Sequence, residues 1–184
     1  MFEEMNNLQQ YPLAVSQRAA MIKLVIFDVD GVLTDGRLYF DDHGTEFKAF
    51  HSRDGLGMNM LQKTGIPIAI ITGRTSQVVL HRMKNLGVKH IFQGQLEKIH
   101  AFNELLTQFS LPAEQVAYVG DDLIDLPVMK ACGLAVATAD AHSLVKKHAH
   151  WCTHQPGGRG AARDVCELLI TTQSNWHLVA GTAN

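Results

Sequence analysis

The sequence predicts an α/β fold, a doubly wound Rossmann-like parallel sheet with a β-hairpin inserted after the first strand. Two patterns predict it: short, almost wholly apolar runs recur along the chain, and segments with helical periodicity separate them. Apolar runs of this kind are typical of strands that are buried on both faces of a parallel sheet. The predicted strands cover residues 22–27, 66–71, 88–92, 116–119 and 134–137.

Two crossover helices are predicted between these strands. The first has Thr75 as its N-cap and ends at Gly87, and its apolar residues recur at helical spacing. The second is predicted over residues 96–109, with Lys98 in its first turn, near the edge of the sheet where ligands bind. Its apolar stripe consists of Ile99, Phe102, Leu106 and Phe109.

The chain is predicted to form one globular domain with two accessory ends, because 184 residues suffice for one full hydrophobic core. Alternating residues on either side of an Asp-Asp-His-Gly turn predict the hairpin. The Gly-rich residues 155–160 (QPGGRG) are predicted to form a flexible joint, and we expect the tail from Gly157 onward to be dispensable for folding. The predicted parts are an N-terminal arm (1–20), the domain (21–156) with its hairpin (about 37–50), and the tail (157–184) with a short helix (161–171).

Composition and charge exclude several classes of protein. The formal net charge is −2 and the pI about 6.5, so the chain lacks the basic surface that binds nucleic acid. The longest apolar run, residues 66–71, is far shorter than the ~20 residues of a membrane-spanning helix, and no export signal is visible. The cysteines are widely spaced and form neither a disulfide framework nor a zinc motif. We therefore predict a cytoplasmic protein that binds neither nucleic acid nor membrane.

Acidic residues follow two of the predicted strands at the point where each strand ends. Asp28 and Asp30 follow the first strand, and Asp121, Asp122 and Asp125 follow the fourth. Ligands bind at the carboxyl ends of parallel strands, where these carboxylates should converge and need a cation. Oxygen ligands favour Mg²⁺. We predict Asp28 and Asp121 as direct ligands and the backbone carbonyl of Asp30 as a third. Asp122 and Asp125 are predicted to orient loop amides or to interact with the metal ligands without contacting the ion.

The same edge of the sheet carries the groups that phosphoryl transfer needs. Asp28 is the predicted nucleophile, because its attack on phosphorus forms an aspartyl-phosphate and divides the hydrolysis into two easier displacements. Asp30 can protonate the leaving alkoxide and then deprotonate the attacking water. The phosphoryl oxygens can be held by the Thr72 hydroxyl, by N–H groups near Gly31 and Gly73, and by Lys98. The sequence therefore predicts a magnesium-dependent phosphatase.

Four features of the chain resemble the haloacid dehalogenase superfamily, in its phosphatase branch. They are DVDGVLTDG (28–36), ITGR (71–74), Lys98 and GDDLID (120–125), which share the type, order and spacing of the superfamily's motifs. Members that displace halide typically lack the second aspartate, so the presence of Asp30 favours phosphoryl transfer. The short spacing between these motifs leaves no room for a cap domain. The resemblance thus implies an open site that a large substrate or a neighbouring subunit closes.

A closer resemblance covers nearly all of the chain after residue 20. The hairpin, residues 48–61 (KAFHSRDGLGMNML) and residues 157–164 (GGRGAARD) are similar to the family of 3-deoxy-D-manno-octulosonate 8-phosphate phosphatases. Members are capless homotetramers that release the free sugar acid and phosphate during synthesis of the lipopolysaccharide inner core. A phosphorylated sugar acid has two anionic ends, which suit guanidinium groups. The resemblance implies substrate contacts at Asp30, His51, Ser52, Arg53, Asp54, Gly55, Asn59, Arg74, Arg82 and Lys98, with Arg159 or Arg163 reaching in from the tail.

Several alternatives stay open at this point. A related nine-carbon sugar acid 9-phosphate is the nearest rival substrate, and Arg82 can equally be a solvated helix arginine. A phosphoacceptor signalling domain uses similar residues, but there the acidic pair precedes the acceptor, whereas here Asp28 comes first. A regulatory relative without catalysis is disfavoured because the catalytic set is complete. Three histidines lack regular metal-ligand spacing and are interpreted as surface residues: His148, His150 and His154.

Overall fold

A computed structural model of the chain describes residues 10–180, and within that range the β-structure is a six-stranded parallel sheet and a separate two-stranded hairpin. The elements in chain order are α1 Leu13–Ala20, β1 Leu24–Phe27, β2 Tyr39–Phe40, β3 Glu46–Phe47, α2 Ser52–Lys63, β4 Ile68–Ile71, α3 Gln77–Asn85, β5 His90–Phe92, α4 Lys98–Phe109, β6 Val116–Gly120, α5 Leu126–Ala131, β7 Leu134–Ala137, α6 Ser143–His148, β8 Trp151–Cys152, α7 Ala161–Thr172 and α8 Trp176–Ala180. The strand order is β5-β4-β1-β6-β7-β8, with β1 inside the sheet. Among the described residues, the predicted doubly wound fold with a hairpin insertion and no cap domain is confirmed.

The five predicted strands are all present, each starting within two residues of its predicted start. The sequence does not predict the sixth strand, β8. This strand consists of Trp151 and Cys152, which pair in parallel with Val136 and Ala137 at the edge of the sheet. A strand of this length is too short to show either an alternating or a continuous apolar pattern.

Helices cover both faces of the sheet and form two cores. Successive residues of β1 face opposite sides, so Val25 and Phe27 join one core while Leu24 and Ile26 join the other. The first core receives α1, α2, α3 and α7, and the second receives α4, α5 and α6. Burial on both faces explains why the central strands are apolar throughout.

The two crossover helices differ slightly from their predictions. Ser76 rather than Thr75 is the N-cap of α3, and the chain leaves this helix at Gly87 as predicted, with φ of +73°. The predicted apolar stripe of α4 does face the second core, but the most buried side of the helix is shifted from it and includes Lys98. The buried residues of α4 are Lys98, Ala101, Phe102 and Leu105, and the other members of the predicted stripe are only partly buried.

The C-terminal helix belongs to the hydrophobic core. α7 packs against α1 and α2, and its residues Val165, Leu168 and Leu169 are wholly buried. The burial of residues 161–172 argues against the expectation that the tail is dispensable for folding. α1, from the predicted N-terminal arm, buries Val15 and Ala19 in the same core, while residues 1–9 of that arm and 181–184 of the tail lie outside the described residues.

The glycines before α7 fix the chain instead of loosening it. The N–H of Gly158 donates to the carbonyl of Val32 at 2.9 Å, in the loop after β1. A Cβ atom at Gly157 would lie 1.9 Å from the carbonyl oxygen of Gly31. Glycine is thus required for the close approach of two backbones, and the prediction of a flexible joint at this point is wrong.

None of the helices within residues 10–180 combines the length and the apolar character that crossing a bilayer requires.

Candidate active site

The carboxyl ends of three neighbouring strands meet around one cavity. Asp28 follows β1, Thr72 follows β4 and Asp121 follows β6, so the sheet order places the three residues side by side. The cavity has a volume of about 250 Å³. It is lined by Asp28, Asp30, Gly36, Thr72, Gly73, Arg74, Asp121, Asp122 and Ile124.

Three carboxylates are concentrated at this cavity. One oxygen each of Asp28, Asp121 and Asp125 lies within 4.8 Å of the others. Burial raises the pKa of Asp28 to about 6, with a contribution from the charge of Asp125 and against the opposing effect of Lys98. Burial, followed by the charges of Asp28 and Asp125, raises the pKa of Asp121 to about 8. Full ionisation of the cluster therefore requires additional positive charge.

A divalent cation fits this cluster. The Oδ1 atom of Asp121 is buried and has no hydrogen-bond partner among the described residues. A buried carboxylate oxygen without a partner is costly, and a bound cation would satisfy it. The available donors are all oxygens, the ligand type that hard divalent ions prefer. Asp28 and Asp121 are the residues best placed to hold such an ion.

Asp125 is fully buried, and both of its carboxylate oxygens already have partners. Oδ1 accepts hydrogen bonds from the Lys98 ammonium and the Tyr118 hydroxyl, each at 2.6 Å. Oδ2 accepts from the backbone N–H groups of Asp121 and Asp122 at 2.9 and 3.1 Å. Asp122 is exposed and caps the turn that follows. This geometry suits a residue that fixes the loop carrying Asp121 better than a direct ligand.

Lys98 supplies the positive charge next to the predicted nucleophile. Its Nζ atom lies 2.8 Å from Oδ2 of Asp28 and 2.6 Å from Oδ1 of Asp125, and the side chain is inaccessible to solvent. Burial disfavours the ammonium form, but the two carboxylates outweigh this effect and raise the pKa of Lys98. The lysine therefore keeps its charge where a phosphoryl group would be transferred.

The predicted phosphate-holding groups border the same space. Thr72 is buried and, with Gly73, lines the cavity on the β4 side. Gly31 has φ of +87°, and a Cβ atom there would lie 2.0 Å from Oδ2 of Asp121. Only glycine lets the loop after β1 pass this close to the carboxylate.

Asp30, the predicted general acid and base, lies in an ionic network that the sequence does not predict. Its Oδ1 contacts the Nζ of Lys48, and its Oδ2 lies 4.0 Å from the Nε of Arg74. Glu46 contacts both cations, at 3.4 Å from Nζ of Lys48 and 2.8 Å from Nη2 of Arg74. The available signal was the spacing of Glu46 and Lys48, because residues two apart in an extended strand lie on the same face.

The arginines predicted to bind the substrate occupy more than one hollow. Arg74 lines the central cavity. His51 and Arg159 border a neighbouring hollow, and Arg53 and Arg163 border a third that also reaches Arg159. Arg159 therefore connects the last two hollows. Ser52 and Asn59 are exposed on α2 and line none of these spaces.

Asp54 and Arg163 have partners within the fold. The carboxylate of Asp54 accepts hydrogen bonds from the backbone N–H groups of Gly160 and Arg163, at 3.3 and 2.8 Å. It thus caps α7 and joins that helix to α2. The Nε of Arg163 donates to Oε1 of Glu167 at 2.6 Å, one turn further along α7. Neither side chain lines the central cavity.

Arg82 is held against α2. A Cβ atom at Gly55 would lie 2.3 Å from Nη2 of Arg82, and the guanidinium carbon lies 6.0 Å from the centre of the Phe50 ring. The Nε of Arg82 is buried without a hydrogen-bond partner among the described residues. These contacts do not support the alternative of a solvated helix arginine.

The histidines at 148, 150 and 154 do not form a metal-ligand cluster within the described part of the chain. His148 contacts the carbonyl of Leu144, and the Nδ1 of His150 accepts from the N–H of Ala135, both at 2.9 Å. All three side chains are exposed, including that of His154. The interpretation as surface histidines is confirmed.

Comparison with known proteins adds independent findings. Residues 89–163 match the family of haloacid dehalogenase-like hydrolases. The 3-deoxy-D-manno-octulosonate 8-phosphate phosphatase of Yersinia pestis is 51% identical over 159 residues, which cover 86% of this chain and 85% of that protein. The crystal structure of a phosphatase of the same name from Yersinia pestis has a TM-score of 0.88 at 49% identity, covering 90% of this chain and 89% of that one. The structure of the Moraxella catarrhalis phosphatase of the same name is a complex with magnesium, phosphate and a KDO molecule. It has a TM-score of 0.91 at 38% identity, and the match covers 95% of this chain and 100% of that one.

Proposed function

Because this chain belongs to the family of 3-deoxy-D-manno-octulosonate 8-phosphate phosphatases, within the haloacid dehalogenase-like hydrolases, we propose that it hydrolyses 3-deoxy-D-manno-octulosonate 8-phosphate to 3-deoxy-D-manno-octulosonate and phosphate. The observation that carries the proposal is the buried ion pair of Asp28 and Lys98 beside Asp121, at the carboxyl end of β1. This arrangement presents a carboxylate, a fixed cation and a metal-binding oxygen to one phosphate group. The sugar acid formed would enter synthesis of the lipopolysaccharide inner core.

In the proposed mechanism, a carboxylate oxygen of Asp28 attacks phosphorus and the bond from phosphorus to the sugar oxygen breaks. Asp30 donates its proton to the departing alkoxide. Asp30 then takes a proton from water as the water oxygen attacks the aspartyl-phosphate, which releases phosphate and restores the Asp28 carboxylate. Lys98, the Thr72 hydroxyl and the N–H groups near Gly31 and Gly73 hold the phosphoryl oxygens in both displacements.

The proposed metal is Mg²⁺, held by Asp28, Asp121 and the backbone carbonyl of Asp30. Its support is the all-oxygen cluster, the unpartnered Oδ1 of Asp121, and the magnesium in the Moraxella catarrhalis structure. When bound, the ion neutralises charge on the phosphoryl oxygens and on the carboxylates around them. Asp122 and Asp125 would act by fixing the loop that carries Asp121.

The sugar acid is proposed to extend from the central cavity past Arg74 towards the hollows beside α2 and α7. The support for this path is the set of arginines at one hollow, Arg53, Arg159 and Arg163, since guanidinium groups bind a carboxylate well. Asp164 and Glu167 line the same hollow, and Glu167 is paired with Arg163, so Arg53 and Arg159 are the proposed carboxylate contacts there. His51, Ser52, Gly55, Asn59 and Arg82 are proposed contacts by family resemblance. Asp54 would act indirectly, by fixing the start of α7 next to these hollows.

The protein is further proposed to be a cytoplasmic homotetramer assembled through its hairpins. The hairpin exposes several large apolar side chains. Exposed apolar surface of this kind is typical of a surface that a partner covers on assembly. They are Leu38, Tyr39, Phe40 and Phe47. A neighbouring subunit in this position would also shield the capless site from water.

A comparison of kcat/KM for two substrates tests the proposed activity. The eight-carbon sugar acid 8-phosphate and a nine-carbon sugar acid 9-phosphate are assayed side by side with Mg²⁺. We expect a clear preference for the 8-phosphate and no turnover by Asp28→Asn. An equal or higher value for the nine-carbon substrate would overturn the substrate assignment.

A further inference from the structure

The hairpin supplies a buried lysine to the carboxylate that the proposed mechanism uses as its acid and base. Lys48 directly follows β3, its side chain is 1% exposed, and its Nζ contacts Oδ1 of Asp30. We propose that Lys48 is a positioning residue, which holds the Asp30 carboxyl group in the orientation needed to transfer a proton to the leaving group. This inference rests on the proposed phosphatase mechanism and adds a residue of the hairpin to it.

Burial gives the first support for a specific role of Lys48. A lysine ammonium is almost never fully buried unless it is paired, because its desolvation is costly. Here the partners are the carboxylates of Asp30 and Glu46. A lysine that merely kept the hairpin soluble would lie in solvent, as exposed lysines on strands do.

The arrangement around Asp30 gives the second support. Lys48 holds Oδ1, whereas within residues 10–180 the ionic contact of Oδ2 is a long one, at 4.0 Å from the Nε of Arg74. Glu46 in turn fixes both cations, through contacts of 3.4 and 2.8 Å. One oxygen of Asp30 is thus anchored, and we assign the proton transfer to Oδ2. Anchoring one oxygen restricts rotation of the carboxyl group, which favours a geometry suited to proton transfer.

Leaving-group dependence separates this role from a structural one. Sugar alkoxides are poor leaving groups and need a proton in the first displacement, whereas p-nitrophenolate leaves without one. We therefore compare cleavage of the sugar acid 8-phosphate and of p-nitrophenyl phosphate, with enzyme in excess so that only the first displacement is followed. The variants are Lys48→Met, the charge-retaining Lys48→Arg, and Lys63→Met as a matched control at an exposed lysine of α2.

We expect Lys48→Met to slow cleavage of the sugar phosphate about tenfold or more, and to change cleavage of p-nitrophenyl phosphate by less than about twofold. Lys48→Arg should recover part of the lost rate, and Lys63→Met should behave as the wild type. In an Asp30→Asn background, Lys48→Met should cause no further loss, because the two residues act as one unit. Equal losses on both esters, or no loss on either, would overturn the proposal.

Two measures keep the outcome interpretable. Thermal unfolding of each variant is followed with and without Mg²⁺, and Lys48→Gln replaces Lys48→Met if the latter does not fold. A wild-type enzyme that cleaves other alkyl phosphates but not the sugar acid 8-phosphate would contradict the proposed substrate. The comparison of variants is then made on the alkyl ester that the wild type cleaves fastest. The role of Lys48 is thus tested independently of the proposed substrate.

Discussion

The Nζ atom of Lys98 lies 2.8 Å from Oδ2 of Asp28, and both side chains are buried at the carboxyl end of β1. The lysine comes from the first turn of α4 and the aspartate from the end of β1, so the pair joins two elements of the fold beside the candidate catalytic cavity. A buried cation next to a nucleophilic carboxylate both restrains that carboxylate and neutralises the phosphoryl group it attacks. Stability and activity should therefore depend on this pair together.

Lys98→Met tests that dependence. The variant leaves Asp28 and Asp125 buried without their shared cation, and breaking a buried pair typically costs about 3–5 kcal/mol. We expect a loss of this size in the free energy of unfolding, measured in urea at neutral pH, and a loss of kcat of about 100-fold or more. The exposed Lys63→Met is the control. Unchanged stability would show that the charge of Lys98 is not needed by its two partners.

The raised pKa of Asp121 makes the stability of the fold depend on pH, and we expect Mg²⁺ to counteract this dependence. Its pKa in the fold is raised to about 8 from an ordinary value of 3.8. A raised carboxyl pKa stabilises the fold at low pH, and this contribution is lost progressively as the pH rises from the ordinary pKa of 3.8 to about 8. Without Mg²⁺ the melting temperature should therefore fall between pH 6 and pH 8. Mg²⁺ should raise it more at pH 8 than at pH 6, because binding of the ion favours the ionised carboxylate.

Calorimetry checks the same linkage directly. Mg²⁺ binding at pH 7, measured in buffers of different ionisation enthalpy, should release about one proton per ion. Asp121→Asn should abolish this release and weaken binding, whereas Asp42→Asn, on the exposed hairpin turn, should change neither. Proton uptake on binding would contradict the assignment of Asp121 as a metal ligand.

Alanine substitutions at Gly31 and Gly65 test whether the metal site needs the close approach of Gly31 to Asp121. Both have positive φ, +87° and +90°, so an alanine at either position should cost about 1–2 kcal/mol of backbone strain. A Cβ atom at Gly31 would also displace the carboxylate of Asp121, whereas at Gly65 no atom of the described residues lies within 4 Å of such a Cβ. We expect Gly31→Ala alone to weaken Mg²⁺ binding, by about tenfold or more. Equal Mg²⁺ affinities in the two variants would contradict the geometry.

Leu168 tests the role of α7 in the core. Leu168 is wholly buried, and Leu168→Ala should lower the free energy of unfolding by about 2–5 kcal/mol. Leu178→Ala, on α8, removes the same group from a side chain that is 46% exposed, and should cost about 0.5 kcal/mol or less. A chain that ends at residue 156 should show no cooperative unfolding transition. Cooperative unfolding of that chain would restore the expectation of a dispensable tail.

Local patterns in the sequence predict most of this fold, and they fail where long-range contacts decide. The strands around Asp28, Thr72 and Asp121 are continuous apolar runs, so their ends, and with them most of the candidate site, are visible in the sequence. The glycines at 157 and 158 predict flexibility locally, but they serve a backbone contact with residues more than a hundred positions away. Composition alone does not reveal such a contact.

The role of Lys48 is hidden for a similar reason. Its hairpin has the alternating pattern of a solvated ribbon, and only the folded chain brings this lysine to Asp30. The burial of Lys98 in α4 is a similar case, because its two carboxylate partners come from other parts of the chain. Pairing with carboxylates thus lets a lysine occupy the buried face of a helix, a position that hydrophobic periodicity does not predict for it.

Covalent catalysis by Asp28 is tested by trapping the phosphate on its side chain. Asp30→Asn is mixed with p-nitrophenyl phosphate and Mg²⁺, since this ester needs no proton to react and the variant should hydrolyse the intermediate slowly. The reaction is quenched in acid, and the peptides are analysed by mass spectrometry. We predict a phosphate on Asp28, absent when Asp28→Asn is added to the variant. Release of p-nitrophenol without a phosphorylated Asp28, together with an active Asp28→Asn enzyme, would contradict covalent catalysis by this residue.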